Sequence, residues 1–91
     1  MKKAIKLYIK GNVQGVTFRA SIKEKADNLD LSGYVRNLED GRVEVFVQGD
    51  IDKVKALAEF CKSGPGYAQV RNIEVKEEKL QDYKDFKILH F

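Results

Sequence analysis

The order of two hydrophobic periodicities along the chain restricts its fold more than any other feature. Residues 3–10 alternate apolar and polar side chains, which is typical of a half-buried strand. Residues 18–29 then repeat apolar side chains at helical spacing, which predicts an amphipathic helix. The expected inward-facing residues of these two elements are Ile5, Leu7, Ile9, Phe18, Ile22, Ala26 and Leu29.

The middle of the chain predicts a β-hairpin followed by a second helix. A strand at residues 33–38 runs into a tight turn at residues 39–41, and a further strand alternates after it. Asp50 is placed to cap the next helix, which the Gly64-Pro65 pair ends. We expect the third strand to bury Val43, Val45 and Val47, and to expose Arg42, Glu44, Phe46 and Gln48. The helix should bury Val54, Leu57, Ala58 and Cys61.

Two more strands complete the pattern, one at residues 69–78 with Ile73 and Val75 inward, and one at residues 86–89. The order of strand, helix, strand, strand, helix, strand, strand predicts an antiparallel sheet with both helices on one face. This is the split βαβ arrangement of the α+β ferredoxin-like sandwich, with its first strand beside the third. A chain of 91 residues without repeats or linkers predicts one domain over residues 1–91.

Charge and cysteine content limit the possible partners and locations. The net charge is +3, from 17 Lys and Arg against 14 Asp and Glu, and the two signs are interspersed rather than segregated as in many duplex-binding proteins. The single cysteine excludes an internal disulfide and any cysteine-based metal cluster. The sequence shows no signal-peptide pattern and no long apolar run, so we expect a cytoplasmic protein that binds no membrane.

Few side chains are suited to nucleophilic or acid–base catalysis. His90 stands near the end of the sequence with no obvious partner, and we expect it to be a surface residue. Ser21 and Ser63 have no base near them in sequence, and Cys61 belongs to an apolar helical stripe. No metal-binding motif or phosphate-loop lysine is present. Any catalysis must therefore rest on positioning and on charge stabilisation.

The turn between the first strand and the first helix is the best candidate for a binding site. Residues 11–19 contain Gly11 and Gly15, a run of backbone amides, and Arg19. Successive amides at such a turn form an anion-binding nest, which the positive end of the helix reinforces. The planar guanidinium of Arg19 suits two oxygens of one phosphoryl group. This stretch predicts a small phosphate-binding site.

Asn37 is a second candidate, and its position alone supports two interpretations. An asparagine at the end of a strand commonly bonds the local backbone, and spacing favours that structural role. Its carboxamide could instead hold and orient a water molecule. Whether Asn37 approaches the first turn cannot be derived from spacing.

Taken together, two motifs closely resemble the signatures of the acylphosphatases. They are Gly11-x-Val13-Gln14-Gly15-Val16-x-Phe18-Arg19 and Gly33-Tyr34-Val35-x-Asn37-x-x-Asp40-Gly41-x-Val43-Glu44. The resemblance covers essentially the whole chain. It implies a ferredoxin-like enzyme that hydrolyses acyl phosphates to carboxylate and phosphate without metal, cofactor or phosphoenzyme. Its partner would be a small acyl phosphate and not a nucleic acid, and nothing requires more than a monomer.

The resemblance also assigns roles to individual residues. It implies that Arg19 is the catalytic arginine and that Asn37 holds the attacking water, which favours the functional reading of Asn37. The implied phosphate cradle consists of the backbone amides of Gln14, Gly15, Val16, Thr17, Phe18 and Arg19. Thr17 departs from the residues usual before Phe-Arg, and we expect its hydroxyl to cap the helix rather than touch phosphate. Gly66 replaces a usual second proline, which is expected to loosen that turn.

Two alternatives come from other functional classes. Ferredoxin-like sheets also bind RNA through exposed aromatic residues, and Tyr8, Tyr34 and Phe46 could lie on an open face with Lys6, Lys10 and Arg36 around them. The third strand lacks the aromatic-rich signature expected of such domains. A non-enzymatic domain that binds an anion is the second alternative, and the presence of both Arg19 and Asn37 argues against it.

Overall fold

A computed structural model describes residues 1–90 as a five-stranded sheet with two helices packed on one face. The elements are β1 (Lys2–Asn12), α1 (Val16–Asn28), β2 (Ser32–Asn37), β3 (Val43–Asp50), α2 (Ile51–Lys62), β4 (Gln69–Glu78) and β5 (Phe86–Leu89). A short 3-10 turn at Pro65–Tyr67 lies between α2 and β4. The predicted order of strands and helices and the ferredoxin-like sandwich are confirmed.

The sheet is mostly antiparallel, with the strand order β4-β1-β3-β2-β5. β1 pairs antiparallel with both β3 and β4. The pairing with β3 confirms the predicted position of the first strand beside the third. β5 runs parallel to β2, which departs from the expected antiparallel sheet at that edge. The reason is the connection of residues 79–85, which carries the chain from the β4 edge across the sheet before β5 begins.

The core between helices and sheet contains most of the residues that alternation and helical spacing predicted. They are Ile5, Leu7, Ile9, Phe18, Ile22, Ala26, Val43, Val45, Val47, Val54, Leu57 and Cys61, with Leu29, Ala58 and Ile73 partly buried against them. Val75 is the exception, since half of its surface is exposed. β4 is an edge strand with a neighbour on one side only, and periodicity cannot indicate that lack of cover.

The start and the end of α2 follow local sequence chemistry. Asp50 is the N-cap residue, and its side chain accepts a hydrogen bond of 3.0 Å from the amide of Asp52. Gly64 is left-handed after the helix, and Pro65 begins the 3-10 turn. Both boundaries predicted for this helix are therefore confirmed. Within residues 1–90, no helix combines the length and the apolar character needed to cross a bilayer.

The outer face of β3 is covered, whereas alternation predicted that it would be exposed. Glu44, Phe46 and Gln48 are all buried. Residues 79–85, which we call the strap, cross this face and contact Phe46 and Gln48. The Gln48 side chain donates a hydrogen bond to the carbonyl of Gln81 and accepts one from its amide, both at 2.7 Å. The ring of Tyr83 lies 5.5 Å from that of Phe46. This face therefore lacks the exposed Phe46 that the RNA-binding alternative required.

Glu44 is a buried carboxylate at the centre of the outer face. Its Oε1 atom accepts hydrogen bonds from Arg36 Nε at 2.6 Å and from the Tyr34 hydroxyl at 2.9 Å. Burial by itself would raise the pKa of Glu44, but these hydrogen bonds outweigh it and lower the pKa below its ordinary value of 4.5. The folded state therefore favours the ionised carboxylate.

We expect Glu44→Gln to lower the free energy of unfolding at neutral pH by about 2 kcal/mol, because Arg36 loses a charged acceptor. A lowered folded-state pKa stabilises the fold fully above the ordinary value of 4.5, and this contribution is lost as the pH falls through the folded-state value. Denaturant unfolding of the parent and the variant should show a difference at about pH 7 that shrinks near pH 3.

Glu77→Gln is the matched control for this measurement. Glu77 also pairs with a cation, since its Oε1 atom lies 2.9 Å from Lys3 Nζ, but its side chain is 79% exposed. Solvent screening leaves such a pair with little effect on stability. Equal stability of Glu44→Gln and the parent at neutral pH would contradict the role given to Glu44.

Candidate active site

A cleft of about 400 Å³ lies where α1, β2 and β5 meet. Its lining residues are Arg19, Arg36, Asn37, Leu38, Glu39, Leu89 and His90. The parallel register that places Arg36 opposite Leu89 brings the end of β5 to this position. Arg19 and Asn37, the two candidates singled out by sequence, therefore line one cleft although 18 residues separate them along the chain.

Two polar atoms of the residues that line the cleft are buried and have no hydrogen-bond partner among residues 1–90. They are the Nε atom of Arg19 and the Oδ1 atom of Asn37. An unpaired buried donor or acceptor costs about 1–3 kcal/mol, and native proteins contain few of them. The described residues therefore leave one donor of Arg19 and one acceptor of Asn37 unsatisfied, and a bound group of complementary polarity would satisfy each of them. A phosphoryl group and a water molecule have these complementary properties.

The turn before α1 is shorter than the sequence predicted. β1 extends to Asn12, and α1 begins at Val16 after the N-cap residue Gly15, so residues 13–15 alone connect them. Gly11 belongs to the strand, at a register shift between β1 and β4. Its φ is +143°, and a Cβ atom there would lie 2.1 Å from the carbonyl oxygen of Gln69. Glycine is therefore required at position 11 because β1 and β4 approach each other closely there. Gly11 is not part of the predicted anion nest.

The N-terminus of α1 retains the properties of an anion site. Its first turn contains no acidic residue, and no side chain caps it. The first amides of a helix have no acceptor within the helix and lie at its positive end. The amide of Phe18 does donate to the carbonyl of Gly15, at 3.2 Å. We call residues 14–19 the cradle segment, because the resemblance to acylphosphatases implies that their amides form a phosphate cradle.

The side chain of Gln14 connects the cradle segment to the turn that follows Asn37. Its Nε2 atom donates to the carbonyl of Leu38 at 3.0 Å and to that of Arg42 at 3.1 Å. The same turn is closed by a hydrogen bond of 2.8 Å from the Leu38 amide to the Arg42 carbonyl. Gln14 thus fixes the position of one half of the site relative to the other. No local pattern indicates this contact, because its partners are 24 and 28 residues away.

The hydroxyl of Thr17 does not cap α1, so that prediction is wrong. Thr17 is the second residue inside the helix rather than its N-cap, and its Oγ1 atom donates to the carbonyl of Gly66 at 3.1 Å. The 3-10 turn that contains Gly66 packs against the first turn of α1. The two residues that depart from the acylphosphatase pattern therefore contact each other.

The remaining candidate nucleophiles and bases are placed as follows. His90 is exposed as expected, but it lies at the edge of the cleft because β5 runs beside β2. Burial raises the pKa of Cys61 to about 12, so its thiol stays protonated. The Ser63 hydroxyl donates to the carbonyl of Phe60 at the end of α2. Within residues 1–90, no group of three or more His, Cys, Asp or Glu side chains is arranged to hold a metal ion.

Comparison with known proteins gives one consistent family. A family model described as Acylphosphatase matches residues 5–88, a range that includes Arg19 and Asn37. An acylphosphatase of Caldanaerobacter subterraneus subsp. tengcongensis is 48% identical over 90 residues, which cover 97% of this chain and 99% of that protein.

Solved structures agree with the match in sequence. An acylphosphatase from Bacillus subtilis superposes with a TM-score of 0.92 at 33% identity, over 99% of this chain and 100% of that chain. One from Coxiella burnetii superposes with a TM-score of 0.90 at 39% identity, over 97% and 93% of the two chains.

We expect Gln14→Ala to weaken the binding of inorganic phosphate by roughly threefold to tenfold while the chain stays folded. The reason is that the cradle segment loses its two hydrogen bonds to the turn after β2. Isothermal titration with phosphate measures the affinity, and amide hydrogen exchange should show faster exchange in residues 13–17. Gln81→Ala is the control, since Gln81 is exposed and bonds Gln48 through its backbone. An unchanged phosphate affinity in Gln14→Ala would contradict this role.

Proposed function

The chain belongs to the acylphosphatase family, and on that basis we propose that it hydrolyses the carboxyl–phosphate bond of acyl phosphates in the cleft that Arg19 and Asn37 line. The observation that carries the proposal is that the two residues lining that one cleft each have an unpartnered buried polar atom, Arg19 Nε and Asn37 Oδ1. A hydrolase needs a group that binds the phosphoryl oxygens and a group that places water beside them. These two atoms have the matching polarity.

In this proposal the cradle segment binds the phosphoryl group of the substrate. Backbone amides from Gln14, Gly15, Val16, Thr17, Phe18 and Arg19 surround its oxygens, with that of Phe18 shared with the Gly15 carbonyl, and the positive end of α1 adds to their field. The Arg19 guanidinium donates to two phosphoryl oxygens at once. Phosphoryl transfer spreads negative charge over these oxygens in the transition state, so donors that are already in place lower the barrier.

Asn37 supplies the second part of the reaction. Its Oδ1 atom accepts a hydrogen bond from a water molecule and holds that water in line with the bond to be broken. The water oxygen bonds to phosphorus, the bond between phosphorus and the acyl oxygen breaks, and the carboxylate leaves. A phosphoryl oxygen of the substrate accepts the proton of the water. An acyl phosphate is an activated anhydride, so these contributions suffice without a side-chain base or a phosphoenzyme.

The proposal includes catalysis without metal or cofactor, because Arg19 and the amides of α1 provide the positive charge that a metal ion supplies elsewhere. It also includes a monomer in the cytoplasm, since the proposed reaction requires no second chain and Cys61 is a buried free thiol. The turnover of a generic acyl phosphate such as benzoyl phosphate should be unchanged by an excess of EDTA. Light scattering should give the 10.4 kDa mass of one chain.

Arg19→Ala should lose phosphate binding and lower kcat/KM for benzoyl phosphate by at least about a hundredfold, because the charge on the phosphoryl oxygens loses its main donor. Arg19→Lys should not restore activity, since a point charge cannot replace the planar fork. Arg71→Ala is the matched control, because Arg71 is exposed on β4. Activity in Arg19→Lys close to that of the parent would contradict bidentate binding.

Asn37→Ala should lower kcat by roughly a hundredfold and leave the Kd for inorganic phosphate nearly unchanged, because water loses its position while the cradle segment remains. Steady-state kinetics and phosphate titration on the same preparation measure both quantities. Asn72→Ala, on the exposed part of β4, is the control. If Asn37→Ala instead lost phosphate affinity and kept kcat, the division of roles between Arg19 and Asn37 would be wrong.

A further inference from the structure

We propose that the contact between Thr17 and Gly66 holds the cradle segment in its phosphate-binding geometry, so that Thr17 is a positioning residue for the reaction. The inference rests on the proposed function, since it concerns the amides that would bind the phosphoryl group. It adds a role for the turn between α2 and β4, which contributes no lining residue to the cleft.

The contact is a hydrogen bond between two elements that are distant in sequence. Thr17 Oγ1 donates to the carbonyl oxygen of Gly66 at 3.1 Å, across 49 residues of chain. The 3-10 turn at Pro65–Tyr67 packs on α1 at the same place. The 3-10 turn after α2 is therefore connected to the first turn of α1 by a hydrogen bond whose donor, Thr17, belongs to the cradle segment.

Gly66 permits an approach that no other residue would allow. Its φ is +66° and its ψ is +32°, in the left-handed region that favours glycine. A Cβ atom at this position would lie 2.9 Å from both the carbonyl carbon and the carbonyl oxygen of Thr17, and 3.2 Å from the amide nitrogen of Phe18. The turn thus touches the peptide bond between Thr17 and Phe18 directly. A larger residue at 66 must displace that peptide, and with it the first turn of α1.

The cradle segment needs such support because it buries little of itself. Residues 14–17 are all exposed, and the Val16 side chain is 72% exposed. The buried side chains of Val13 and Phe18 anchor the segment from either side. Between them, Gln14 bonds the turn after β2 and Thr17 bonds the turn after α2. If the segment is already ordered before the ligand binds, no further conformational entropy is lost on binding, and the affinity for the ligand is not reduced.

Substitution of Thr17 tests the hydrogen bond to Gly66 with little change in side-chain volume. Thr17→Val removes the donor and keeps the branched shape, whereas Thr17→Ser keeps the donor. We expect Thr17→Val to raise the Kd for inorganic phosphate and the KM for benzoyl phosphate by roughly threefold to tenfold, with a smaller change in kcat. Thr17→Ser should remain within about twofold of the parent. Ser63→Ala, which removes another hydroxyl-to-carbonyl hydrogen bond at the end of α2, should leave both values unchanged.

Gly66→Ala tests the close approach and the coupling between the two residues. The added methyl group should displace the Thr17 peptide and raise the Kd for phosphate more than Thr17→Val does. Because the displaced turn no longer receives the hydrogen bond, Thr17→Val should have little further effect in the Gly66→Ala background. Fully additive effects in this double-mutant cycle would contradict a shared contact.

Thermal unfolding of each variant separates positioning from simple stabilisation. A lower Tm of Thr17→Val with unchanged phosphate Kd and KM would overturn the proposal, and so would equal phosphate binding by Thr17→Val and the parent. Failure of the parent itself to bind phosphate and hydrolyse benzoyl phosphate would overturn the proposed function, and the positioning role with it. Normal activity of the parent together with unaffected Thr17→Val would overturn the positioning role alone.

Discussion

The two hydrogen bonds from the Gln14 carboxamide to the carbonyls of Leu38 and Arg42 join the halves of the candidate site. One half is the start of α1, and the other is the end of β2 with its turn. Both elements join one core through buried side chains, among them Phe18 of α1 and Val35 of β2. The polar bridge adds directional bonds at the surface, whose length tolerates little variation. It therefore narrows the range of distances between the cradle segment and Asn37.

Local chemistry predicted the elements of this fold, and long-range connections limited the prediction of how they assemble. The alternation of β1 and β3, the helical stripe of α2 and the Asp50 cap are properties of short segments, so they could be read from sequence. The direction of β5 and the burial of Phe46 depend on where the strap crosses the sheet. A residue such as Phe46, which faces away from the helices, carries no local sign that another segment covers it.

The same limit applies to the site. Arg19 and Asn37 belong to motifs of the acylphosphatases, and the structure places both in one cleft, although their roles are still predictions. The contacts of Gln14 and Thr17 could not be predicted, because their acceptors are backbone carbonyls 24 to 49 residues away. Any residue has such a carbonyl, so no side-chain type marks the partner. The local rule for a threonine near a helix start instead predicted a cap. The Thr17 hydroxyl makes no cap and donates to the distant Gly66 carbonyl.

The strap connects the outer face of the sheet to the cleft, because β5 follows it directly and ends at the cleft. The Gln48 side chain binds the backbone of Gln81 in both directions, as a neighbouring strand would, and this fixes where the strap crosses β3. The next residues form β5, whose parallel register with β2 carries Leu89 to the cleft. A parallel edge strand of four residues has few hydrogen bonds of its own to define its register. The wall of the cleft beside Asn37 therefore belongs to a segment that a polar contact anchors on the outer face of the sheet and that the buried Phe86 anchors at the start of β5.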